Sequence, residues 1–157
     1  MAIETNDSIE KFGSQTSIDD GSTGTIANNA FSVLADINIF TNSDDAPYAR
    51  FVLKLQFDAT MPTVGTIALF ARPLNIDGAN EPPVPNASFL SIFLGSFPID
   101  FSQAADTDFY TTISKAALPN FISSQTYEFY IQNVSTVQVI GVNWTLKITP
   151  YTYGPAA

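Results

Sequence analysis

The chain has 157 residues, of which 13% are charged and 13% aromatic, a composition typical of one aromatic-rich globular domain. Fifteen Asp and Glu against six Lys and Arg give a net charge of −9, which argues against nucleic-acid binding because phosphates require clustered cations. The absence of cysteine and histidine excludes disulfides, thiolate zinc sites and the Ser-His-Asp and Cys-His arrangements of nucleophilic enzymes.

Residues 1–29 are polar, with only widely spaced apolar positions. This density is too low for a core of its own, so two interpretations stay open. The segment is either a partly ordered terminus or an extended arm that contacts a neighbouring subunit. The spaced apolar residues that would anchor such an arm include Ile3, Ile9, Phe12 and Ile18.

From Phe31 the pattern changes to the alternation of β-strands. In FSVLADINIF (31–40) the apolar residues share one face, and Ser32, Asp36 and Asn38 share the other. In YARFVLKLQFD (48–58) every second residue from Ala49 to Phe57 is apolar, while Arg50 and Lys54 point the other way. Helical spacing would scatter these residues around an axis, so both segments, and TIALFAR (66–72), are predicted strands.

The stretch DGANEPPVPNASF (77–89) separates two predicted strands and contains three prolines, which cannot donate hydrogen bonds to a sheet. It is therefore predicted to be a stiff surface loop. The next strand, SFLSIFLG (88–95), is apolar almost throughout. This pattern indicates burial on both faces, or a contact between subunits on one of them.

Three further strands are predicted at DFYTTIS (108–114), TYEFYIQN (126–133) and GVNWTLKIT (141–149), with Pro150 ending the last one. No segment has sustained helical periodicity, and no apolar run is long enough to span a membrane. We therefore expect an all-β fold, an antiparallel β-sandwich of jelly-roll or related Greek-key topology. The expected organisation is an arm at 1–29, the sandwich at 30–150 and a C-terminal tail at 151–157.

Carboxylates are the remaining candidates for catalysis. The pairs Asp44–Asp45, Asp77–Glu81 and Asp106–Asp108 could supply a glycan hydrolase, but all fall in predicted turns, where Asp caps the backbone. The segment 75–81 has part of a calcium-loop pattern without its terminal bidentate glutamate, so a solvated turn is favoured. We accordingly expect no enzyme activity, no cofactor and no metal site.

Five tyrosines fall on predicted polar faces or in the tail. Cross-strand packing or a protein interface is favoured over carbohydrate stacking for these side chains. They are Tyr48, Tyr110, Tyr130, Tyr151 and Tyr153.

Several stretches carry a family resemblance. They are DDAPYARFVLKLQF (44–57), ARPLNIDGANEPPVPNASF (71–89), LGSFPID (94–100), YEFYIQN (127–133) and GVNWTLKITPYTYGPAA (141–157). In their order and spacing the chain resembles small virion structural proteins of tailed bacteriophages over residues 10–157. None of these motifs is diagnostic of a biochemical activity, because they are packing and turn patterns.

The resemblance implies a particle component, and by analogy a capsid decoration (cement) protein. Such a protein is expected to be a homo-oligomer, a trimer, bound to the major capsid protein at the virion surface after synthesis in the host cytoplasm. No contact with nucleic acid or membrane is expected. A tail-associated or receptor-binding, lectin-like module is the alternative. The predicted contact residues are Ile3, Ile9, Phe12, Ile18, Glu81, Pro82, Pro83, Val84, Pro85, Asn86, Tyr151 and Tyr153.

Overall fold

Nine antiparallel strands are found in the part of the chain that the structure describes. The computed structural model describes residues 8–74, 81–134 and 136–155. The strands are β1 (Ser8–Phe12), β2 (Thr16–Asp20), β3 (Phe40–Thr41), β4 (Tyr48–Leu55), β5 (Thr66–Leu74), β6 (Ile92–Phe97), β7 (Phe109–Ala117), β8 (Thr126–Val134) and β9 (Thr145–Pro155).

The strands form two sheets. The five-stranded sheet has the order β1-β9-β4-β7, with β2 also paired to β9. The four-stranded sheet has the order β3-β8-β5-β6. Because β1 pairs with the end of β9 (Phe12 opposite Tyr151) and β2 with its start (Thr16 opposite Ile148), the two short strands share one edge of β9.

The core lies between the two sheets, and strand alternation fills it. Phe51, Leu53 and Leu55 of β4 are fully buried, while the intervening residues face outward. Across the gap, the rings of Phe51 and Phe129 lie 5.1 Å apart between centroids. Trp144, at the start of β9, is also fully buried. The predicted all-β, antiparallel sandwich is confirmed.

The polar N-terminal segment differs from the arm predicted at 1–29. Over its described residues it contributes β1 and β2, and Ile18 and Ile26 lie in the core at 3% and 1% exposure. Gly13 N–H donates to the carbonyl of Pro150 over 2.8 Å, which continues the pairing with β9 between the two strands. The few apolar residues of this segment are sufficient because long-range pairing with β9 supplies the rest of its stability.

The predicted tail at 151–157 and the predicted stop at Pro150 are also wrong, because β9 continues to Pro155. Pro150 lies opposite Ala49, and its carbonyl accepts from Gly13. The N and carbonyl of one residue point to the same side of an antiparallel strand. The nitrogen of Pro150, which carries no hydrogen, therefore points toward the break between β1 and β2. Its missing N–H group costs no hydrogen bond between strands there.

The predicted strand at 31–40 is interrupted. Residues 29–32 pair with the second half of β8, and β3 pairs with its start, but residues 33–39 leave the sheet and include a 3-10 turn at Leu34–Asp36. The predicted alternation is reversed here, since Ser32 and Asp36 are buried and Ile39 is 64% exposed. Ser32 Oγ accepts from Ile131 N, and Asp36 Oδ1 accepts from Thr23, while the buried Asp36 Oδ2 has no hydrogen-bond partner among the described residues.

Candidate interaction surfaces

The outer face of the four-stranded sheet is partly covered by the described part of the proline loop. Arg72 of β5 connects the two, because its Nε donates to the Pro82 carbonyl over 2.7 Å. Its Nη1 donates to Glu128 Oε2 over 2.6 Å, and the Tyr130 hydroxyl donates to the same oxygen over 2.8 Å. Burial alone would lower the pKa of Arg72, but the hydrogen bond and the charge of Glu128 raise it, so the guanidinium stays charged.

This anchoring limits which loop residues are available to a partner. Pro85 is buried and Glu81, Pro82 and Val84 are half-buried, whereas Pro83 and Asn86 are exposed. Asn86 is engaged in a turn, since its backbone exchanges hydrogen bonds with Phe89 (2.8 and 3.1 Å).

The calcium-loop segment and Asp77 lie within or beside residues 75–80, which are outside the described residues; only Glu81 of the Asp77–Glu81 pair is described. The turn favoured for both from the sequence therefore stays a prediction.

An exposed apolar surface, here called the β6 patch, follows the loop. It consists of Phe89, Leu90 and Phe93, which are 37%, 46% and 59% exposed. Phe93 packs on Phe70 with ring centroids 5.6 Å apart, and Phe70 packs on Phe31 at the same distance. Among the described residues β6 pairs only with β5, so Phe93 lies on an edge strand and Phe89 and Leu90 lie just before it, where exposed apolar residues promote association.

The outer face of the five-stranded sheet carries an aromatic cluster. Tyr151 lies at its centre, 5.0 Å from Phe12, 5.6 Å from Tyr48 and 5.9 Å from Tyr153 between ring centroids. Lys115 Nζ is 4.4 Å from the centroid of the Tyr48 ring and 5.0 Å from that of Tyr153. It also donates to the Tyr153 hydroxyl over 3.1 Å. We call this cluster, with the cations beside it, the aromatic–cationic face.

Four of the six cations of the chain project from this same face. Register places Arg50 opposite Thr149, Lys147 opposite Val52 and Lys54 opposite Thr145, all on the side away from the core, and Lys115 lies over Tyr48. The described residues contain two ion pairs, Lys54–Asp108 and Arg72–Glu128. The other three cations on the face therefore have no carboxylate partner among those residues.

The predicted contact residues are thus dispersed. Phe12, at 45% exposure, and Tyr153, at 40%, belong to the aromatic–cationic face, but Tyr151 beneath them is 2% exposed. Ile9 is half-buried in β1, Ile18 is in the core and unavailable to a partner, and Ile3 lies outside the described residues.

The predicted cross-strand packing of tyrosines is seen for Tyr48 and Tyr151, which stack. Tyr130 shares the outer face with Glu128, as its assignment to a polar face predicts, but it is fully buried there, while Tyr110 is 70% exposed.

Of the paired acids, Asp44 and Asp106 lie in turns, as predicted, but the side chains of Asp45 and Asp108 contact distant segments instead of their own turns. Asp45 accepts from Ser123 Oγ (2.8 Å) and Ser124 N (2.6 Å), and Asp108 binds Lys54.

An open depression of about 610 Å³ between Ile99 and Thr112 contains Asp100, whose pKa is lowered by hydrogen bonds from Ser102 and Gln103. No group of three or more His, Cys, Asp or Glu in the described part of the chain could hold a metal. Within those same residues no helix is long and apolar enough to cross a membrane.

One buried acid was missed from the sequence. Asp19 is 1% exposed, and its Oδ1 accepts from Asn38 N over 3.1 Å. Burial raises its pKa to about 8, and the charges of Glu128 and Asp36 act in the same direction, while the Asn38 bond opposes them. The sequence signal for this buried acid was the pair Asp19-Asp20 directly after Ile18. It was overlooked because residues 1–29 were assigned to an arm.

The fold and its surfaces define an antiparallel β-sandwich in which one sheet carries the apolar β6 patch and the other carries the aromatic–cationic face. No protein-family model, curated protein or solved structure matched the chain when it was compared with each.

Proposed function

We propose that the protein is a non-enzymatic virion structural protein of a tailed bacteriophage, a capsid decoration protein that forms a homo-oligomer on the shell and stabilises it. Two lines of support meet here. The sequence resemblance over residues 10–157 is to proteins of that class. The β6 patch provides an exposed apolar surface of the kind that another subunit covers.

The strand pairing supports a jelly roll as the finer description of the fold. The hydrogen-bonded pairs β2–β9, β3–β8, β4–β7 and β5–β6 are nested in sequence. Such nesting is what results when one long antiparallel ribbon, turned at β5–β6, is rolled into two sheets. The step from this fold to a shell protein is an analogy, since the same architecture serves many functions.

The observation that carries the proposal is the exposure of Phe93, at 59%, on an edge strand, with Leu90, two residues before that strand, also exposed. A second copy that covers these side chains would remove apolar area from water at about 25 cal/mol per Å². Closure into a symmetric trimer would repeat the contact at every interface, so that modest contacts to the shell act together.

The first experiment measures the oligomeric state of the purified protein by sedimentation velocity. We expect an oligomer for the wild type and a monomer for the Leu90→Ser/Phe93→Ser variant. Val137→Ser is the matched control, because Val137 is an apolar side chain at 70% exposure outside the β6 patch, and it should leave the oligomer intact. A wild type that stays monomeric at all concentrations tested would contradict the oligomer.

The second experiment counts copies in purified particles by quantitative mass spectrometry. Hundreds of copies per particle support a shell component, and loss of the protein should make the particles less stable to heat. A handful of copies would instead support the alternative, a tail-associated or receptor-binding module. The exposed Tyr110 beside the open depression is the aromatic side chain that such a lectin-like site would use.

A further inference from the structure

We propose that the aromatic–cationic face is a docking surface for an acidic protein segment. This inference does not depend on the assignment to a particle, and it concerns the sheet opposite the β6 patch. Its occupant is a partner chain that carries glutamates or aspartates between apolar or aromatic residues.

The distribution of charge on this face favours an acidic partner. The chain carries a net charge of −9. Among the described residues, the four cations share this outer face with three acids, Glu10, Asp20 and Asp108, while Asp19 of β2 is buried. The face is therefore the exception in an acidic molecule, and complementarity selects a partner of opposite sign.

Two of the cations on this face are held in place. Lys115 is fixed by two rings and by the Tyr153 hydroxyl, and Arg50 Cζ lies 4.9 Å from the centroid of the Phe12 ring. Cation–π contacts and this hydrogen bond restrict side chains that would otherwise be flexible. Ordering them on binding then costs less conformational entropy. The hydrogen bond with Tyr153 also raises the pKa of Lys115, which keeps the ammonium charged.

The groups available on this face favour a protein partner over a carbohydrate. Stacking on a sugar needs a free aromatic ring face. Here Lys115 lies over Tyr48 and Tyr153, and Arg50 lies over Phe12. The groups that remain available are N–H donors and ring edges, which suit carboxylates and apolar side chains. Tyrosine and arginine are also the residues enriched at protein interfaces.

The test is a fluorescence-anisotropy titration of the full chain with a short fluorescein-labelled peptide in which glutamates alternate with tyrosines. We expect saturable binding at low salt that weakens as salt shortens the range of electrostatic attraction. Arg50→Gln and Lys115→Gln should each weaken binding by roughly two- to fivefold, the range for an exposed ion pair. The triple variant with Lys147→Gln should abolish it.

Lys11→Gln is the matched control, because it removes the same charge from β1, opposite Thr152, on the other face of the sheet. It should bind like the wild type, as should Phe93→Ser, which keeps this result separate from the oligomer test. Thermal unfolding checks that each variant is folded.

Four results would overturn the proposal. The first is that the glutamate peptide does not bind. The second is that the same peptide with Gln in place of Glu binds equally well, and the third is that polygalacturonate binds in preference to the peptide. The fourth is self-association of the wild type that the triple variant loses, which would make a second copy the occupant.

Discussion

Asp19 and Asn38 join the two sheets: the Asp19 carboxylate accepts the Asn38 backbone N–H over 3.1 Å, linking β2 to the segment 33–39 that leaves the four-stranded sheet. A bridge between Asp19 and Ile37 adds to this connection. Because Asp19 is almost fully buried, its neutral form is favoured in the folded protein, where its pKa is about 8.

This burial predicts a pH-dependent stability. Unfolded Asp19 ionises near its ordinary pKa of 3.8, whereas the folded protein retains the proton up to about pH 8. As the pH rises through this window the unfolded state binds fewer protons, so this group's contribution to stability falls by about 1.4 kcal/mol per pH unit and levels off above it. Asp19→Asn keeps an acceptor for Asn38 but cannot ionise, so its free energy of unfolding should depend less on pH. Urea titrations across the window measure this, and Asp44→Asn, at an exposed acid, should retain the wild-type slope.

Gly21 is predicted to be intolerant of a side chain. A Cβ there would overlap Nε1 and Cδ1 of the Trp144 indole, which is fully buried and cannot move aside. Gly21→Ala should therefore lower the free energy of unfolding by about 1–3 kcal/mol. Gly24→Ala is the control, because its Cβ would meet only Val33 Cγ2 at 3.6 Å. Equal destabilisation in urea unfolding would refute the steric explanation.

The two ion pairs should differ in their importance. Arg72→Ala removes the cation from Glu128, whose side chain is 12% exposed and keeps, among the described residues, only the Tyr130 hydrogen bond, and loss of such a charged hydrogen bond costs about 1.5–3 kcal/mol. Lys54→Ala breaks a pair whose Asp108 side chain is 48% exposed, for which about 1 kcal/mol or less is expected. Hydrogen exchange provides a second measurement: Arg72→Ala should accelerate exchange in residues 81–91, since the Pro82 anchor is lost. Similar effects of both variants would argue against a structural role for the buried pair.

Asn133 should stabilise three backbone segments at once. Its Nδ2 donates to the carbonyls of Ile26 (3.0 Å) and Gln138 (2.7 Å), and its Oδ1 accepts from Thr136 Oγ1 (2.5 Å). Asn133→Ala should lower the free energy of unfolding by about 1–3 kcal/mol. The carbonyls that accept from Nδ2 would lose their donor, and water cannot reach them to replace it. Gln132→Ala, at a half-buried neighbour on the other face, should cost less in the same denaturant titration.

The strands that could be predicted are those whose side chains alternate against a single core. Phe51, Leu53 and Leu55 point inward as expected because the pleat alone determines this sorting. The same rule, applied to the predicted strand 141–149, places Val142 inward with Trp144, but Val142 is 38% exposed, since the chain turns at Asn143 with a φ of 68° before β9 begins. Ser32 and Asp36 could not be assigned to the interior, because their partners, Ile131 and Thr23, are identified only by the folded structure.

The surfaces were predicted less completely than the strands. Phe12, Tyr151 and Tyr153 were each selected from the sequence, but as parts of an arm and a tail. Their meeting with Tyr48 and Lys115 depends on the register of four strands, and Tyr153 reaches Glu10 across 143 residues of sequence. Local patterns contain no such information. The experiment that an arm suggests, deletion of residues 2–20, would remove β1 and β2 and so would report on folding rather than on binding.

The position of β9 has a consequence for how the chain folds during synthesis. Of the described strands, β1 and β2 are translated before the others, yet their partner strand, Thr145–Pro155, is translated after them all. Until β9 leaves the ribosome, β1 and β2 have no strand to pair with, and the core lacks Leu146 and Ile148. Closure of the five-stranded sheet is thus a late, long-range event, which is intrinsically slow. During that interval the nascent chain exposes unpaired strand edges, which favour aggregation.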